Sequence, residues 1–305
     1  MRKAGAPRHD PIPIGEVAAP PFVRLPDAVT LFATRSLRFR TLAEGHQLGP
    51  YLLFLAALSE CQHRIQKDLP EPDLPPPDAR AHAREHAMPP LDRNRFTADA
   101  ALYAVLDRLL PLAATIDMPD AACEALNRVC GADAAARDAM VRAVLADAIP
   151  VETLADHVYV AAALQVHFAR LAARLDADAL VPIGNGVCPA CGGAPVATTI
   201  VGWQGAHGTR FCTCSLCATQ WHVVRIKCVL CDSTAGIAYQ EVDGGPDSVK
   251  AETCESCHGY VKILHQHKNP QLEPVADDIA TLGLDLLLRE DGYRRGAVNP
   301  FLLGY

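Results

Sequence analysis

Four pairs of closely spaced cysteines dominate the last 120 residues of this sequence. Within each pair two residues separate the cysteines, and moving the chain by 40 positions superimposes the first two pairs on the last two. Each half therefore follows the pattern C-x2-C-x22-C-x2-C, which indicates a duplication of one unit. The pairs are Cys188 with Cys191, Cys214 with Cys217, Cys228 with Cys231, and Cys254 with Cys257.

This spacing is typical of metal binding. Two cysteines separated by two residues can turn both sulfur atoms toward one ion, and a second pair completes a tetrahedral shell for zinc or iron. Disulfides are disfavoured because the chain has 305 residues, no export signal is evident and nine of its twelve cysteines cluster late. Structural sites of this type contribute about 10 to 16 kcal/mol to folding. The predicted ligands are Cys188, Cys191, Cys214, Cys217, Cys228, Cys231, Cys254 and Cys257.

The pairing of the four motifs stays open at this point. The duplication favours a sequential arrangement, in which the first pair shares an ion with the second and the third with the fourth. An interleaved arrangement, first with third and second with fourth, is the alternative.

The residue after each second cysteine bears on the turn geometry. A tight metal-binding turn often needs a positive φ angle there, which Gly192 adopts freely and which Asp232 and His258 tolerate better than most residues. Ala218 does not fit this rule.

Helical periodicity fills the sequence before the cysteine pairs. We expect an extended or poorly ordered arm over residues 1–25, a proline-rich surface loop over 69–90, and a helix that begins after an N-cap at Thr97. On the first helix, Val29, Phe32, Ala33, Leu37 and Leu42 are expected to form the apolar stripe. This first helix is predicted over Asp27–Gly45, and further main helices over Pro50–Lys67 and Val151–Leu175, the last with one apolar face.

Short strands and glycine-rich turns are expected from about position 184 onward, followed by a final helix over Val275–Glu290. The aspartates Asp277 and Asp278 would suit the dipole at its first turn. The predicted fold class is α+β multidomain: an all-α N-terminal domain, two tandem rubredoxin-like (zinc-ribbon-like) tetracysteine modules and a C-terminal helix. The predicted boundaries are 1–183, 184–226 and 227–305.

The remaining cysteines and histidines have plainer interpretations. Cys212 is expected to be a spare thiol because its counterpart after the 40-residue shift is Glu252. Small apolar core residues are expected at Cys61, Cys123 and Cys130. The histidines near the motifs are not needed as ligands, since each set of four sulfur atoms is already complete.

Composition and motifs weigh against several function classes. A formal net charge of −7 disfavours a general nucleic-acid partner. No phosphate loop or nucleophile motif stands in a persuasive setting, so we do not expect an enzyme. The longest apolar run, Pro50–Leu58, is far below the roughly 20 residues of a membrane-spanning helix. A cytoplasmic location is therefore expected.

The sequence around the motifs resembles the FdhE family, the accessory proteins of respiratory formate dehydrogenases. The likeness covers nearly all of the last 120 residues, and the helical part agrees in length and character, with weaker matches at Pro50-Tyr51-Leu52 and Pro89-Pro90-Leu91-Asp92. Its main residues are Cys188-Pro-Ala-Cys191-Gly192, Cys214-Ser-Leu-Cys217, Trp221-His222-Val223-Val224-Arg225-Ile226-Lys227-Cys228, Lys250-Ala251-Glu252-Thr253-Cys254, Tyr260-Val261-Lys262-Ile263-Leu264 and Asn299-Pro300-Phe301.

The resemblance implies an accessory protein that binds the catalytic subunit of formate dehydrogenase in the cytoplasm before export. It further implies two mononuclear iron sites of rubredoxin type, carried by the eight paired cysteines. The residues alone do not choose iron over zinc, because both metals accept four thiolates. Whether the protein forms a homodimer is left open.

Other function classes remain to be separated from this one. The chain could be a rubredoxin-like electron carrier in cofactor maturation, or a structural zinc-ribbon binding module whose metal is an inert staple. A zinc-ribbon nucleic-acid binder is disfavoured because residues 185–270 carry six lysines and arginines against six aspartates and glutamates.

Sequential pairing makes a testable prediction. The single changes Cys188→Ser and Cys228→Ser should each remove one metal ion and leave the other in place, as measured by metal content per chain. Loss of both ions from either change would argue against independent sites.

Overall fold

The computed structural model describes residues 20–302 and confirms the predicted order of a helical region, a sheet region and C-terminal helices. Most of the predicted N-terminal arm, residues 1–19, lies outside the described residues. No helix within 20–302 has the length and apolar character to cross a bilayer. The helices are α1 (Ala28–Ala43), α2 (Gly49–Ile65), α3 (Pro77–Glu85), α4 (Ala100–Ala113), α5 (Asp120–Gly131), α6 (Ala134–Leu145), α7 (Leu154–Ala172), α8 (Pro274–Ala280) and α9 (Leu282–Glu290).

Helix α7 is the centre of the helical region. Fifteen of its nineteen residues are buried, so it is enclosed on every side and not on the single face predicted. Helices α2, α4, α5 and α6 all contact it. Because an enclosed helix must satisfy its polar side chains internally, the buried Gln165 in α7 needs a partner within the protein.

Three predictions for the helical region are wrong in detail. Helix α1 buries Phe32 and Phe39, whereas Leu37 of the predicted stripe is 67% exposed. The stretch expected to be loop contains α3, which begins with a proline in its first turn, where a missing N–H costs nothing. Helix α4 is capped by Asp99 instead of Thr97, since the Asp99 side chain accepts the N–H of Leu102 at 2.8 Å.

The strands form one sheet of eight. Its order is β1-β4-β3-β2-β7-β6-β5, with β8 paired to β7. After the 40-residue shift β2, β3 and β4 correspond to β5, β6 and β7, so each copy of the repeat is a three-stranded antiparallel meander. The strands are β1 (Val23–Arg24), β2 (Pro195–Ile200), β3 (Arg210–Cys214), β4 (Gln220–Val223), β5 (Ile237–Gln240), β6 (Val249–Cys254), β7 (Gly259–His265) and β8 (Arg294–Arg295).

The two copies are joined by the parallel pairing of β2 with β7, where Thr198 lies opposite Ile263. The sheet thus runs across the boundary predicted at positions 226 and 227. The two modules are sequence units that share one sheet, and their boundaries stay a prediction.

The C-terminal helix is broken into α8 and α9 at Thr281, where one uninterrupted helix was expected. The ammonium group of Lys262 on β7 donates to the carbonyl oxygens of Asp278 at 2.7 Å and Thr281 at 3.1 Å. The Thr281 carbonyl also accepts the N–H of Leu284 at 3.0 Å. The break therefore lies where a buried cation contacts the helix backbone.

Buried charges fix the C-terminal helices to the rest of the protein. Asp278, expected at an ordinary helix start, is fully buried and lies 2.5 Å from Arg295 and 3.3 Å from Lys262. Its neighbour Asp277 pairs with Arg38 of α1 at 2.5 Å. Burial opposes ionisation of Asp278, but the adjacent Lys262 and Arg295 outweigh it and hold the pKa of this carboxyl below its usual value.

Removing one charged side chain from this network should destabilise the folded protein. The change Asp278→Ala leaves Lys262 and Arg295 with fewer counter-charges in a buried site, so we expect the free energy of unfolding to fall by about 3 to 5 kcal/mol. Urea titration of the metal-loaded protein at pH 7 measures this. Asp243→Ala, at an exposed loop position, is the matched control. A loss below about 1 kcal/mol for Asp278→Ala would contradict the assigned role.

Candidate metal centres

The eight paired cysteines come together as two groups of four. Within each group all sulfur atoms lie within 4.8 Å of one another. The grouping is sequential, because the first two pairs meet and the last two pairs meet. We call them the first centre (Cys188, Cys191, Cys214 and Cys217) and the second centre (Cys228, Cys231, Cys254 and Cys257).

The sulfur separations fit a tetrahedral metal site. In the first centre Cys188 lies 3.6 Å from Cys217 and Cys191 lies 3.4 Å from Cys214. The corresponding distances in the second centre are 3.9 and 3.7 Å. A tetrahedron with metal–sulfur bonds of about 2.3 Å has edges of about 3.8 Å. All twelve cysteines are free, and these separations far exceed the roughly 2.05 Å of a disulfide. Either group could bind a metal ion.

The same local turn builds both centres. In the first, the N–H of Cys188 donates to Gly193 at 2.9 Å and the N–H of Gly192 donates back to Cys188 at 2.8 Å. Forty positions later, Cys228 donates to Ser233 at 2.8 Å and Asp232 donates to Cys228 at 3.0 Å. The duplication seen in the sequence is thus repeated bond for bond. Each turn aims its two sulfur atoms at one point.

All four residues that follow a second cysteine have a positive φ angle. The angles are 77° at Gly192, 70° at Asp232, 50° at His258 and 59° at Ala218. Ala218 therefore adopts the turn geometry that its residue type disfavours, at a cost of about 1 to 2 kcal/mol. The turn at this position is imposed by the surrounding structure.

The first centre is enclosed by the helical region. All four of its cysteines are at most 1% exposed. The segment between α3 and α4 lies across its first turn, where the N–H groups of Leu91 and Arg93 donate to the carbonyls of Ala190 at 2.9 Å and Cys191 at 3.0 Å. The Arg93 guanidinium then reaches the carbonyl of Leu145 at 2.6 Å and the carboxylate of Asp147 at 2.5 Å.

A buried polar relay connects the same centre to the C-terminal helices. Gln165 of α7 donates to the carbonyl of Ser215 at 2.8 Å, and Arg35 of α1 donates to Gln165 at 3.0 Å. Arg35 also pairs with Glu273, the N-cap of α8, at 2.9 Å. Sequence reasoning missed all of these residues. The single glutamine amid the apolar Leu164 and Val166 was a signal that could have pointed to one of them.

The second centre faces solvent. Cys228 and Cys254 are 4% and 1% exposed, but Cys257 is half-buried and Cys231 is exposed. Its first turn, at Leu230 and Cys231, receives no matching pair of N–H donors from the described part of the chain. The two copies of one unit therefore differ in environment and not in local geometry.

One thiol in each centre ionises more readily than usual. Burial opposes ionisation of Cys254 most strongly, but the N–H groups of Cys257 and Ser256 and the neighbouring thiols lower its pKa to about 7. The pKa of Cys214 is likewise held below its usual value, by hydrogen bonds that outweigh burial. A metal ion binds thiolates, so these arrangements suit a divalent cation.

The remaining cysteines are divided between core and surface. Cys212 lies outside both groups, is fully buried, and burial raises its pKa to about 12. Its repeat counterpart Glu252 instead pairs with Arg210 at 2.8 Å. Cys61 is a core residue as expected, whereas Cys123 and Cys130 are exposed, contrary to expectation.

Comparison with known proteins gives consistent matches along the chain. Residues 20–185 match the family model described as FdhE, N-terminal; residues 187–225 match the FdhE central domain and residues 226–302 the FdhE C-terminal domain. A protein FdhE homolog from Rhizobium meliloti (strain 1021) is 48% identical over 298 residues, which is 97% of each chain. Protein FdhE from Escherichia coli (strain K12 / DH10B) is 33% identical and covers 93% of this chain and 91% of its own.

A solved structure agrees with the fold. The crystal structure of the FdhE protein from Pseudomonas aeruginosa superimposes with a TM-score of 0.82 at 35% identity. The alignment covers 93% of this chain and 99% of that one. The helical region, the sheet and the C-terminal helices are therefore shared architecture.

The strained alanine gives a prediction. The change Ala218→Gly should raise the free energy of unfolding of the metal-loaded protein by about 0.5 to 1 kcal/mol, because glycine adopts a positive φ angle freely. Ala190→Gly is the control, since Ala190 is buried in the other turn of this centre and has no positive φ. The free energy of unfolding of the Ala190→Gly variant should fall by about 1 kcal/mol. Equal losses in urea titrations of both variants would contradict the strain at Ala218.

Proposed function

The chain belongs to the FdhE family, and on that premise we propose that it is an accessory protein for the assembly of active respiratory formate dehydrogenase. It binds the catalytic subunit of that enzyme in the cytoplasm, before export, and does not itself catalyse a reaction. One observation carries the proposal: relatives in this family match the chain over nearly its whole length. The complete four-sulfur groups support it.

The metal in this proposal is iron at both centres, held by the eight paired cysteines. Sulfur separations of 3.4 to 3.9 Å suit iron as well as zinc. Iron held by four thiolates supplies a one-electron couple and sensitivity to oxygen, which zinc does not. The chain's own part is to fix the sulfur positions and to exclude water from the first centre.

A second candidate function is electron transfer. The exposed Cys231 and the half-buried Cys257 would bring a redox-active ion in the second centre close to a partner's surface. Under this hypothesis the protein passes electrons during cofactor maturation. Reversible one-electron reduction of the iron form, together with electron delivery to the client enzyme, would favour it over a purely binding role.

Metal analysis separates iron from zinc. Protein purified without oxygen from its native host should contain about two iron ions per chain, and Cys228→Ser protein about one. Elemental mass spectrometry measures both, with Cys123→Ser as a control because Cys123 is an exposed non-ligand. Two zinc ions per chain would overturn the iron assignment and leave the binding role standing.

The partner is tested by retention on immobilised protein. The metal-loaded chain should retain the catalytic subunit of formate dehydrogenase before that subunit acquires its cofactor, at physiological salt and without oxygen. The Cys123→Ser variant should retain it equally, and the Cys188→Ser variant should not, because the first centre joins the helical region to the sheet. Absence of retention by the unmodified chain would contradict the proposal.

A further inference from the structure

We propose that the two centres have different roles: the second exchanges its metal ion and thiolates with thiol-bearing partners, whereas the first is a permanent structural clamp. This inference rests on the proposed metal sites. The two copies share one local geometry and differ in their surroundings. Neither the duplication nor the family match assigns such a difference.

The two centres differ in how accessible their sulfur atoms are to an incoming ligand. Replacement of a ligand on a four-coordinate ion requires an incoming donor to approach the ion or to displace a leaving sulfur. At the first centre every cysteine is at most 1% exposed, so no donor can approach without local opening. At the second centre Cys231 is exposed and Cys257 is half-buried, which leaves one side of the sulfur tetrahedron open.

Opening the first centre also breaks hydrogen bonds that connect it to the helical region. Opening the first centre requires loss of the Leu91 and Arg93 hydrogen bonds to its first turn and of the Gln165 bond to Ser215. Their donors belong to the helical region and are buried. Each would be left without a partner, at about 1 to 3 kcal/mol apiece.

The exposed side of the second centre is polar and local. The hydroxyls of Ser233 and Ser256 lie 2.9 Å apart beside it, and Lys227 pairs with Asp232 on the same turn. These contacts join residues of the module to one another and use no donor from the helices. Val229 of this turn belongs to the main core and Leu230 packs against it, whereas Cys231 and Asp232 are exposed. The end of the turn that carries Cys231 is therefore the part that can move while the core stays in place.

The chemistry of exchange follows from this exposure. A partner thiolate forms a bond to the metal ion while the bond from the ion to Cys231 breaks. The Cys231 sulfur leaves as a thiolate and takes a proton from water, and no electrons are transferred. A partner with two or more such thiolates can take the whole ion by repeating the step.

Site-resolved alkylation tests the difference on the unmodified, metal-loaded chain. The protein is pulsed with N-ethylmaleimide without oxygen, unfolded with a chelator present, and labelled again with a heavier isotope of the reagent. Mass spectrometry of peptides then gives the rate at each cysteine. The chain contains its own references, since Cys123 and Cys130 are exposed non-ligands and Cys61 and Cys212 are buried non-ligands.

We expect the cysteines of the second centre to react at least about tenfold faster than those of the first, which should react as slowly as Cys212. Native mass spectrometry during treatment with ethylenediaminetetraacetate should show rapid loss of one ion and slow loss of the other. The Cys228→Ser variant, which retains only the first centre's ion, should show the slow loss alone.

Two results would overturn the inference, and they are distinguishable. Equal alkylation rates at both centres, with two ions bound at the start, would remove the difference in role and leave the metal sites intact. Should native mass spectrometry find no ion before treatment, the proposed metal centres themselves would fail, and this inference with them.

Discussion

The gathering of four buried sulfur atoms at the first centre is the constraint on which this structure depends. Three parts of the chain meet there: the sheet, helix α7 and the segment that carries Leu91 and Arg93. The four thiols contact one another at 3.4 and 3.6 Å, and Cys214 also accepts the N–H groups of Leu216 and Cys217. A cation bound there would add strong bonds to the four sulfur atoms and would hold the helical region against the sheet.

Buried charges extend this anchoring to the C-terminus. Arg35 connects Gln165 to the start of α8, and the Lys262 ammonium donates to two carbonyls at the break in the C-terminal helix. Charges that are this well buried contribute little net stability when paired and cost much when a partner is lost. Their effect is to specify one arrangement of the helices on the sheet.

Local geometry was predictable from sequence and long-range geometry was not. The spacing of the cysteines anticipated both sulfur groups, because a turn of a few residues decides where they point. The same local reasoning misjudged Ala218, since the fold imposes the turn against the residue's preference. The exposure of Leu37 and the burial of Asp278 depend on residues more than fifteen positions away. No periodicity in α1 or α8 encodes those neighbours.

X-ray absorption spectroscopy tests the central claim most directly. Protein purified without oxygen should show a metal edge whose extended fine structure fits four sulfur neighbours at about 2.3 Å, with two ions per chain and no nitrogen or oxygen ligands. A shell containing nitrogen or oxygen, or a chain that holds no ion while its cysteines are linked as disulfides, would contradict the account.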